Sequence, residues 1–473
     1  MVAKELVGGG KIDYVLTSLY FSLVGIGWLM IYAVGYKEGY DMDWGEFMLK
    51  THVGKQTIFI GVALLISLII LSFDVKFWRV FAYPIYSFGI VLLMLVLVFG
   101  REINGAKAWF SFAGFGFQPV EIAKLGTALA LSSYLSSPSI VLRERRTVMT
   151  VLGILGIPIF FIMLQPDAGS MLVFISFSIM LYREGMSPIP YVIGLALTIV
   201  FIFAIIFESN PNELVLYLMM LAAVVSALFI TEKRRLWLAG VIGVIAVAAF
   251  CFFNGKVQFS LVLMLLTVLT FVIVNSRRGR FRQVIATTLA LLVSASLVYI
   301  TSFVFHNVLK KHQQERINVW LRPDKTDPRG AAYNLIHSKM AIGSGGLQGR
   351  GFLEGTMTKL NYVPEQQTDF IFCTIGEEQG FIGVFGVVAI FIMFLVRIIQ
   401  IAERQRSNFV RLYAYCLSGI FFFHFTINIG MTMGLLPVIG IPLPFVSAGG
   451  SSLMGFTAML AILLKLDSSR YAV

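Results

Sequence analysis

Charge is what this sequence has least of. Only 13% of its 473 residues are Asp, Glu, Lys or Arg, while 58% are hydrophobic. A soluble domain averages about 25% charged residues. So little polar surface cannot cover so apolar an interior, which excludes a soluble globular domain and leaves lipid to cover it. Cysteine is also scarce. Cys251, Cys373 and Cys416 are odd in number, far apart, and set in or beside apolar stretches. That excludes a disulfide framework or metal-ligand spacing and makes them small buried hydrophobes. The histidines, His52, His306, His312, His337 and His424, show no ligand spacing, and His424 reads as a satisfied mid-helix packing residue. Proline is rare beside phenylalanine, 14 against 42, which argues against disorder or low complexity. The apolar runs do not alternate, which excludes an outer-membrane barrel. No small-residue cleavage site follows the first run, so it is expected to remain as an anchor rather than leave as a signal peptide.

Long apolar runs are abundant. A helix needs about 20 apolar residues to cross a bilayer. Spans are read at 14–35, 56–73, 77–99, 118–135, 147–165, 168–182, 188–207, 213–230, 236–253, 258–275, 283–305, 378–398, 411–430 and 450–466. The expected architecture is an all-α polytopic bundle of about fourteen transmembrane helices, residues 1–473 forming a single integral membrane domain. With the N-terminus inside, the inner segments hold 21 Lys and Arg, among them Lys76, Arg79, Arg143, Arg145, Arg146, Arg277, Arg278, Arg404 and Arg406. The outer turn 208–212 has no basic residue, 254–257 has only Lys256, and 431–449 has none. This positive-inside pattern puts both termini in the cytoplasm and accounts for the net charge of +12 without nucleic acid.

Two outer segments break the pattern by being basic. Residues 101–117 carry Arg101 and Lys107, and the long loop 306–377 carries nine Lys and Arg. Loops that long between spans are usually functional. Since topology does not require their charge, it points to an anionic ligand or to lipid headgroups. In the first segment, Asn104-Gly105 signals a turn. Trp109, Phe110 and Phe112 then suit a partly inserted interfacial stretch. Glu121 and Lys124 follow in an apolar run, three apart and so on one helix face. Charges in a span are costly and by default mark a functional site, a structural ion pair being the alternative.

In LQPDAGS (164–170), Asp167 suits a helix N-cap or a functional role, and the two are compatible. The glycine-rich run from Gly343 to Gly355 cannot be helical throughout, and its bare backbone could approach a phosphate. Asp369, at the edge of Phe370-Ile371-Phe372 and among basic groups, is a candidate general base, with Glu377 and Glu378 as competitors. Pro437, Pro442 and Pro444 break the stretch 428–453, and irregular backbone at membrane depth must lie inside protein or line a cavity. Ser447, Ser451 and Ser452 there could bond a substrate or only the freed backbone.

Four pieces in order, NGAKAWF…FQPVEIAKL, LQPDAGS, IGSGGLQGRGFLEGT…LNYVPEQQTDFIF…GEEQGFIG and NIGMTMGLLPVIGIPLPFVSAGGSS, resemble the SEDS (shape, elongation, division and sporulation) family. The resemblance covers most of the chain outside residues 188–282, and GMTMGLLPVIGIPLPFVS looks like the elongation branch rather than the division branch. It implies a peptidoglycan glycosyltransferase that polymerises lipid II, an undecaprenyl-pyrophosphate-linked disaccharide. The site would face outward from the bacterial cytoplasmic membrane. It implies a single-span class B penicillin-binding transpeptidase and cell-shape complex proteins as partners.

By the same matching, Asp369 takes the place of the family's essential loop aspartate, and Trp109, Glu121 and Lys124 fall around the cavity. The expected substrate-binding set is completed by Arg101, Asn104, Asp167, Lys339, Glu365, Thr368, Ser447 and Ser451. Lys124, Arg101 and Lys339, or a divalent cation (Mg or Mn), would offset the leaving pyrophosphate. Three positions depart from the family: Gln367 replaces a usual His, Ala448 a usual Tyr, and QPDAGS a usual QPDLGT. Relatives usually have ten helices, so residues 188–282 are read as added helices, whose even number keeps 306–377 outside. A lipid-linked oligosaccharide flippase and a non-catalytic scaffold of the elongation complex are the alternatives.

Overall fold

In a computed structural model the described residues are all except 1–11, 37–43, 104, 113–114, 143, 207–233, 254–256, 278–280, 324–325, 328–329, 331 and 471–473. The chain divides into two compact units, residues 1–187 with 327–473, and residues 188–326. Helix dominates both, as it must where no water can satisfy the backbone.

The first unit opens with α1 (Tyr14–Gly35), α2 (Trp44–Lys50), α3 (His52–Ser72), α4 (Val75–Val80) and α5 (Ala82–Phe99). Strands β1 (Arg101–Ile103), β2 (Ala106–Phe112) and β3 (Phe115–Phe117) follow, then α6 (Val120–Leu135), α7 (Arg145–Leu164), α8 (Ala168–Phe174) and α9 (Phe177–Arg183). The second unit contains α10 (Ile189–Ile206), α11 (Arg234–Phe253), α12 (Val257–Arg277), α13 (Phe281–Asn307) and α14 (Lys311–Leu321). The first unit resumes with α15 (Tyr333–Ser344), α16 (Thr356–Lys359), α17 (Ile371–Glu403), α18 (Asn408–Thr432) and α19 (Gly450–Ser468). Side-chain caps set several starts: Asp13 accepts from the Leu16 N–H, Thr51 from Gly54 and Asp167 from Ser170.

Fourteen spans were expected. Among the described residues, eight helices are long and apolar enough to cross a membrane: α1, α3, α5, α7, α10, α17, α18 and α19. The other expected spans fall on the short α6, on the broken pair α8 and α9, and on α11 to α13, while 213–230 lies outside the described residues. The added helices expected at 188–282 fall within the second unit, which runs on to Thr326. Within the first unit, α18 and α19 are 72% and 78% buried along their apolar windows, against 22% to 39% for the other spans. These two therefore form the protein-enclosed centre, and the others face lipid. Phe421 of α18 and Phe456 of α19 meet there, ring centroids 5.6 Å apart.

Among the described residues the expected all-α bundle has one exception. In the segment read as interfacial, β1, β2 and β3 pair antiparallel in that order. Its first hairpin sets Glu102 opposite Lys107, and Gly105 between the two strands has φ 82. The left-handed backbone is open to glycine, and the aromatic residues that follow favour strand.

The expected loop 306–377 is interrupted by helices α14, α15 and α16 and by the start of α17. Helix α17 breaks at Gly380, φ 61 and ψ −161, which frees backbone groups on both sides. The glycine-rich run satisfies them. Arg350 N donates to Glu377 O and Gly351 N to Glu378 O, each 3.0 Å, while Phe381 N donates to Gly346 O at 2.9 Å and Ile382 N to Leu347 O at 3.1 Å. Only glycine permits this approach: a Cβ at Gly345 would sit 1.9 Å from Gly376 O, and one at Gly349 2.1 Å from Glu378 O. The bare backbone of this run, which could approach a phosphate, packs at Gly345 and Gly349 against α17.

At the other end of α17, a charge cluster ties α1, α17 and α19 together. The buried Asp13 carboxylate accepts from Arg397 Nη2 and from Arg404 Nη2, each at 2.8 Å. Arg404 also pairs with Asp467, which accepts from Gln405 Nε2 at 2.7 Å. Burial raises the Asp13 pKa, but Arg397, the Leu16 N–H and Arg404 together lower it to about 2. Because that is below the unfolded value of 3.8, Asp13 stabilises the fold above pH 3.8 and loses this contribution as pH falls to about 2. In detergent, thermal unfolding followed over this window should show a steeper loss for wild type than for Asp13→Asn. Gly349→Ala should destabilise by about 1–3 kcal/mol, read as a lower unfolding midpoint, because φ is +80 and a Cβ meets backbone there.

Candidate active site

Two charges are enclosed in protein at the start of α6. Lys124 Nζ lies 2.9 Å from Glu121 Oε1 and 2.9 Å from Oε2, with side chains 2% and 4% exposed. The three-residue spacing aligns them, as the sequence suggested. Gly455 brings α19 against them, where a Cβ would fall 2.9 Å from Glu121 Oε2. Lys124 Nζ also lies 3.1 Å from His424 Nε2 and 4.9 Å from the centre of the Phe456 ring. The other nitrogen of His424, Nδ1, lies 3.2 Å from Pro442 O.

Pro442 belongs to the irregular stretch between α18 and α19. Side chains from several elements satisfy the backbone of this stretch. Asn428 Nδ2 donates to Ile441 O at 2.7 Å and to Asp369 O at 2.8 Å. Ser447 Oγ accepts from Leu443 N at 2.8 Å and donates to Thr368 O at 2.6 Å. Ala448 N donates to Gln367 O at 2.9 Å, and Gly449 N to Gln56 Oε1 at 3.2 Å. Three consecutive residues, Gln367, Thr368 and Asp369, are thereby held through their carbonyls. Gly440, φ 81, passes close to the Asp369 carboxyl: a Cβ there would lie 3.1 Å from Oδ2. The half-buried Asp369 side chain stands at this junction.

The remaining expected site residues sort by what they touch. Thr368 Oγ1 donates to Glu365 Oε2 at 2.9 Å, so both belong to the Asp369 turn. Ser451 Oγ accepts from Gln118 N at 3.0 Å, and Gln118 Nε2 donates to Asp167 Oδ2 at 3.1 Å. Ser447 and Ser451 thus serve backbone groups. Asp167 caps α8, with Ser170 donating to it through N at 3.0 Å and through Oγ at 2.7 Å. Arg101 lies exposed on β1 opposite Trp109, whose ring packs over Gly116 with 3.2 Å from Cε3 to a Cβ built there. Lys339 is exposed on α15 and leans over Gly434, where a Cβ would fall 2.6 Å from Nζ. Asn104 lies outside the described residues.

The competing carboxylates separate clearly. Glu377 is fully buried and accepts from Met357 N at 2.8 Å, Thr358 N at 2.9 Å and Thr358 Oγ1 at 2.7 Å. It anchors α16. Glu378 is 1% exposed and packed under the glycine-rich run, closed to any substrate. Only Asp369 of the three is both held in place and reachable. Among the described residues, no three His, Cys, Asp or Glu side chains gather to hold a metal ion.

Sequence reasoning missed Gln56, Gln118 and Asn428, and it read His424 as packing. His424 and Asn428 are four apart on α18, so one face carries both toward the broken stretch. That pair of polar side chains in an apolar helix was the available signal.

The fold and site define an integral membrane protein of many apolar helices, with polar groups converging on a broken stretch between its two innermost helices. A family model described as cell cycle protein, covering FtsW, RodA and SpoVE, matches residues 14–217 and 206–472. The chain belongs to this family. It is 30% identical to the peptidoglycan glycosyltransferase RodA of Treponema pallidum (strain Nichols), with 96% of each chain covered. It is 28% identical to the peptidoglycan glycosyltransferase MrdB of Escherichia coli (strain K12), over 89% of this chain and 86% of that one. Among solved structures it is similar to a chain of a peptidoglycan synthase complex studied for its coordination of polymerization and crosslinking. The TM-score is 0.61 at 25% identity, covering 98% of this chain and 99% of that one. Similarity to the rod shape determining protein RodA of Thermus thermophilus, TM-score 0.55 at 21% identity over 97% and 98% of the two chains, concerns the fold.

The buried pair supplies a stability test. Glu121→Gln leaves an ammonium without its counter-charge and should cost about 3–5 kcal/mol in detergent unfolding, whereas Glu121→Leu with Lys124→Met should recover much of that loss.

Proposed function

We propose that this chain is a peptidoglycan glycosyltransferase that polymerises lipid II into glycan strands during cell elongation. The observation that carries the proposal is the reachable Asp369 carboxylate, held on a turn whose Asp369, Thr368 and Gln367 carbonyls accept from Asn428, Ser447 and Ala448 in that order. Lipid II has an α-linked sugar on pyrophosphate, and the polymer bond is β. One inversion suffices, so the reaction needs a base for the acceptor hydroxyl and stabilisation for the leaving group. Asp369 accepts the proton of the acceptor sugar's 4-hydroxyl as that oxygen attacks the donor's anomeric carbon. The C–O bond to pyrophosphate then breaks, and its electron pair leaves with the phosphate.

Lys124 is enclosed and already bonded to Glu121 and His424, so it does not touch the leaving group directly. The exposed Arg101 and Lys339 are the cations for that role. A divalent cation, Mg or Mn, would when bound neutralise the pyrophosphate. Among the described residues no three His, Cys, Asp or Glu side chains gather, so such an ion would take its ligands mainly from phosphate oxygens and water.

The chemistry belongs on the outer face of the bacterial cytoplasmic membrane, with fourteen crossings and both termini inside. The clusters of Lys and Arg in the inner segments support this orientation. Residues 1–473 act as one integral membrane domain, with 188–282 as added helices and 306–377 as the outer catalytic segment. A class B penicillin-binding transpeptidase and cell-shape complex proteins are the partners. The relative described in a synthase complex that couples polymerization and crosslinking supports the first of these.

Purified protein given labelled lipid II and Mg or Mn, with its transpeptidase present, should form polymer. Asp369→Asn should slow this by about 10²–10⁴-fold, the range for a general base, and chelation should also suppress it. Polymer from Asp369→Asn at the wild-type rate would overturn the assignment. No polymer from either protein would move the reading to a lipid-linked oligosaccharide flippase.

A further inference from the structure

We infer that His424 is a positioning residue, a bridge of fixed tautomer through which the buried Glu121–Lys124 pair sets the backbone that holds Asp369. This rests on the reading of Asp369 as the base and adds a residue that acts through it.

Hydrogen-bond chemistry fixes the tautomer. Nε2 lies 3.1 Å from the Lys124 ammonium, which has only donors, so Nε2 must offer its lone pair. Nδ1 lies 3.2 Å from the Pro442 carbonyl, which only accepts, so Nδ1 must carry the proton. The ring is therefore neutral, accepting from the lysine on one side and donating to the broken stretch on the other. A reversed tautomer would break both contacts, and a doubly protonated ring would set an N–H against the ammonium.

The ring cannot readily turn away. His424 is 3% exposed, and Phe456 meets it edge-on at 4.8 Å between centroids. The groups facing it are Lys124 from α6, Phe456 from α19 and Pro442 from the broken stretch. Pro442 lies next to Ile441, whose carbonyl shares the Asn428 amide with Asp369 O. The route is short and continuous: Glu121 to Lys124, to His424, to the 441–442 backbone, to Asn428, to Asp369. Moving the Pro442 carbonyl shifts its neighbour Ile441 O, and with it the amide that anchors the base. A displacement of about 1 Å at such a distance from the chemistry can cost about 100-fold in rate.

Shape and polarity can be separated at this position. Phe keeps the ring and loses both polar atoms. Gln loses the ring but keeps one donor and one acceptor at nearly the same separation. On this inference, His424→Phe lowers kcat for lipid II polymerisation by about tenfold or more with KM little changed, while His424→Gln stays within about threefold of wild type. A residue that only packs gives the reverse order, with Phe tolerated and Gln harmful, and that result overturns the inference.

His424→Phe should add little in a Lys124→Met background, since the bridge then has nothing to transmit. Full multiplicative loss in that background would also overturn the inference. Thermal unfolding run beside each assay identifies a variant that fails to fold. A measurement independent of His424→Phe is the ¹⁵N spectrum of histidine-labelled wild type, with His424 identified by its absence in His424→Gln. The Nδ1–H neutral tautomer is expected, and the Nε2–H tautomer or a charged ring would overturn the proposal. Asp369→Asn assayed alongside keeps the two readings distinct. If it polymerises normally, the base assignment fails, while the order of the His424 variants still reports on the bridge.

Discussion

Polypeptide that leaves helical geometry at membrane depth must find partners for its N–H and C=O groups within the protein. The stretch between α18 and α19 meets this demand with Asn428, Ser447, Gln56 and His424, together with the carbonyl of Gln367. Each bond that satisfies the stretch also fixes something else. Asn428 fixes Asp369, Ser447 fixes Thr368, and His424 meets the buried lysine. The position of the candidate base is therefore a consequence of how the broken backbone is satisfied.

The same logic governs the second break, at Gly380 in α17. There the partners are backbone groups of the glycine-rich run, admitted because no Cβ stands between them. Glu377, just before the break, anchors α16 through three short hydrogen bonds. The first break meets the 365–370 turn in space and the second follows it in sequence, so the turn is held from both sides. Rigidity of this kind suits a base that must meet a hydroxyl within hydrogen-bond reach.

Much of this was legible in the sequence because it is local. Continuous apolar runs marked the helices, Asp167 marked a helix start, and the spacing of Glu121 and Lys124 marked a shared face. The motif around Asp369 carried the family resemblance, and with it the activity. What stayed hidden depends on contacts distant in sequence. Nothing near His424 announces Lys124, 300 positions away, and nothing near Ser447 says that its hydroxyl joins Leu443 to Thr368. The segment 306–377 looked like loop because its helices are short and polar, α14 especially, so the hydropathy that reveals a span gives no signal there. The glycine-rich run misled for a related reason: glycine advertises a close approach but not what approaches.

The most direct measurement is hydrogen–deuterium exchange across residues 365–371 and 439–449, wild type against Asn428→Leu. That change removes a side chain bonded to both Ile441 O and Asp369 O while keeping its bulk. If the broken stretch positions the base, both segments exchange faster together in the variant while α1 and α3 remain protected. Unchanged exchange at 365–371, with 439–449 alone loosened, would contradict the account, because the turn that carries Asp369 would then hold its place unaided.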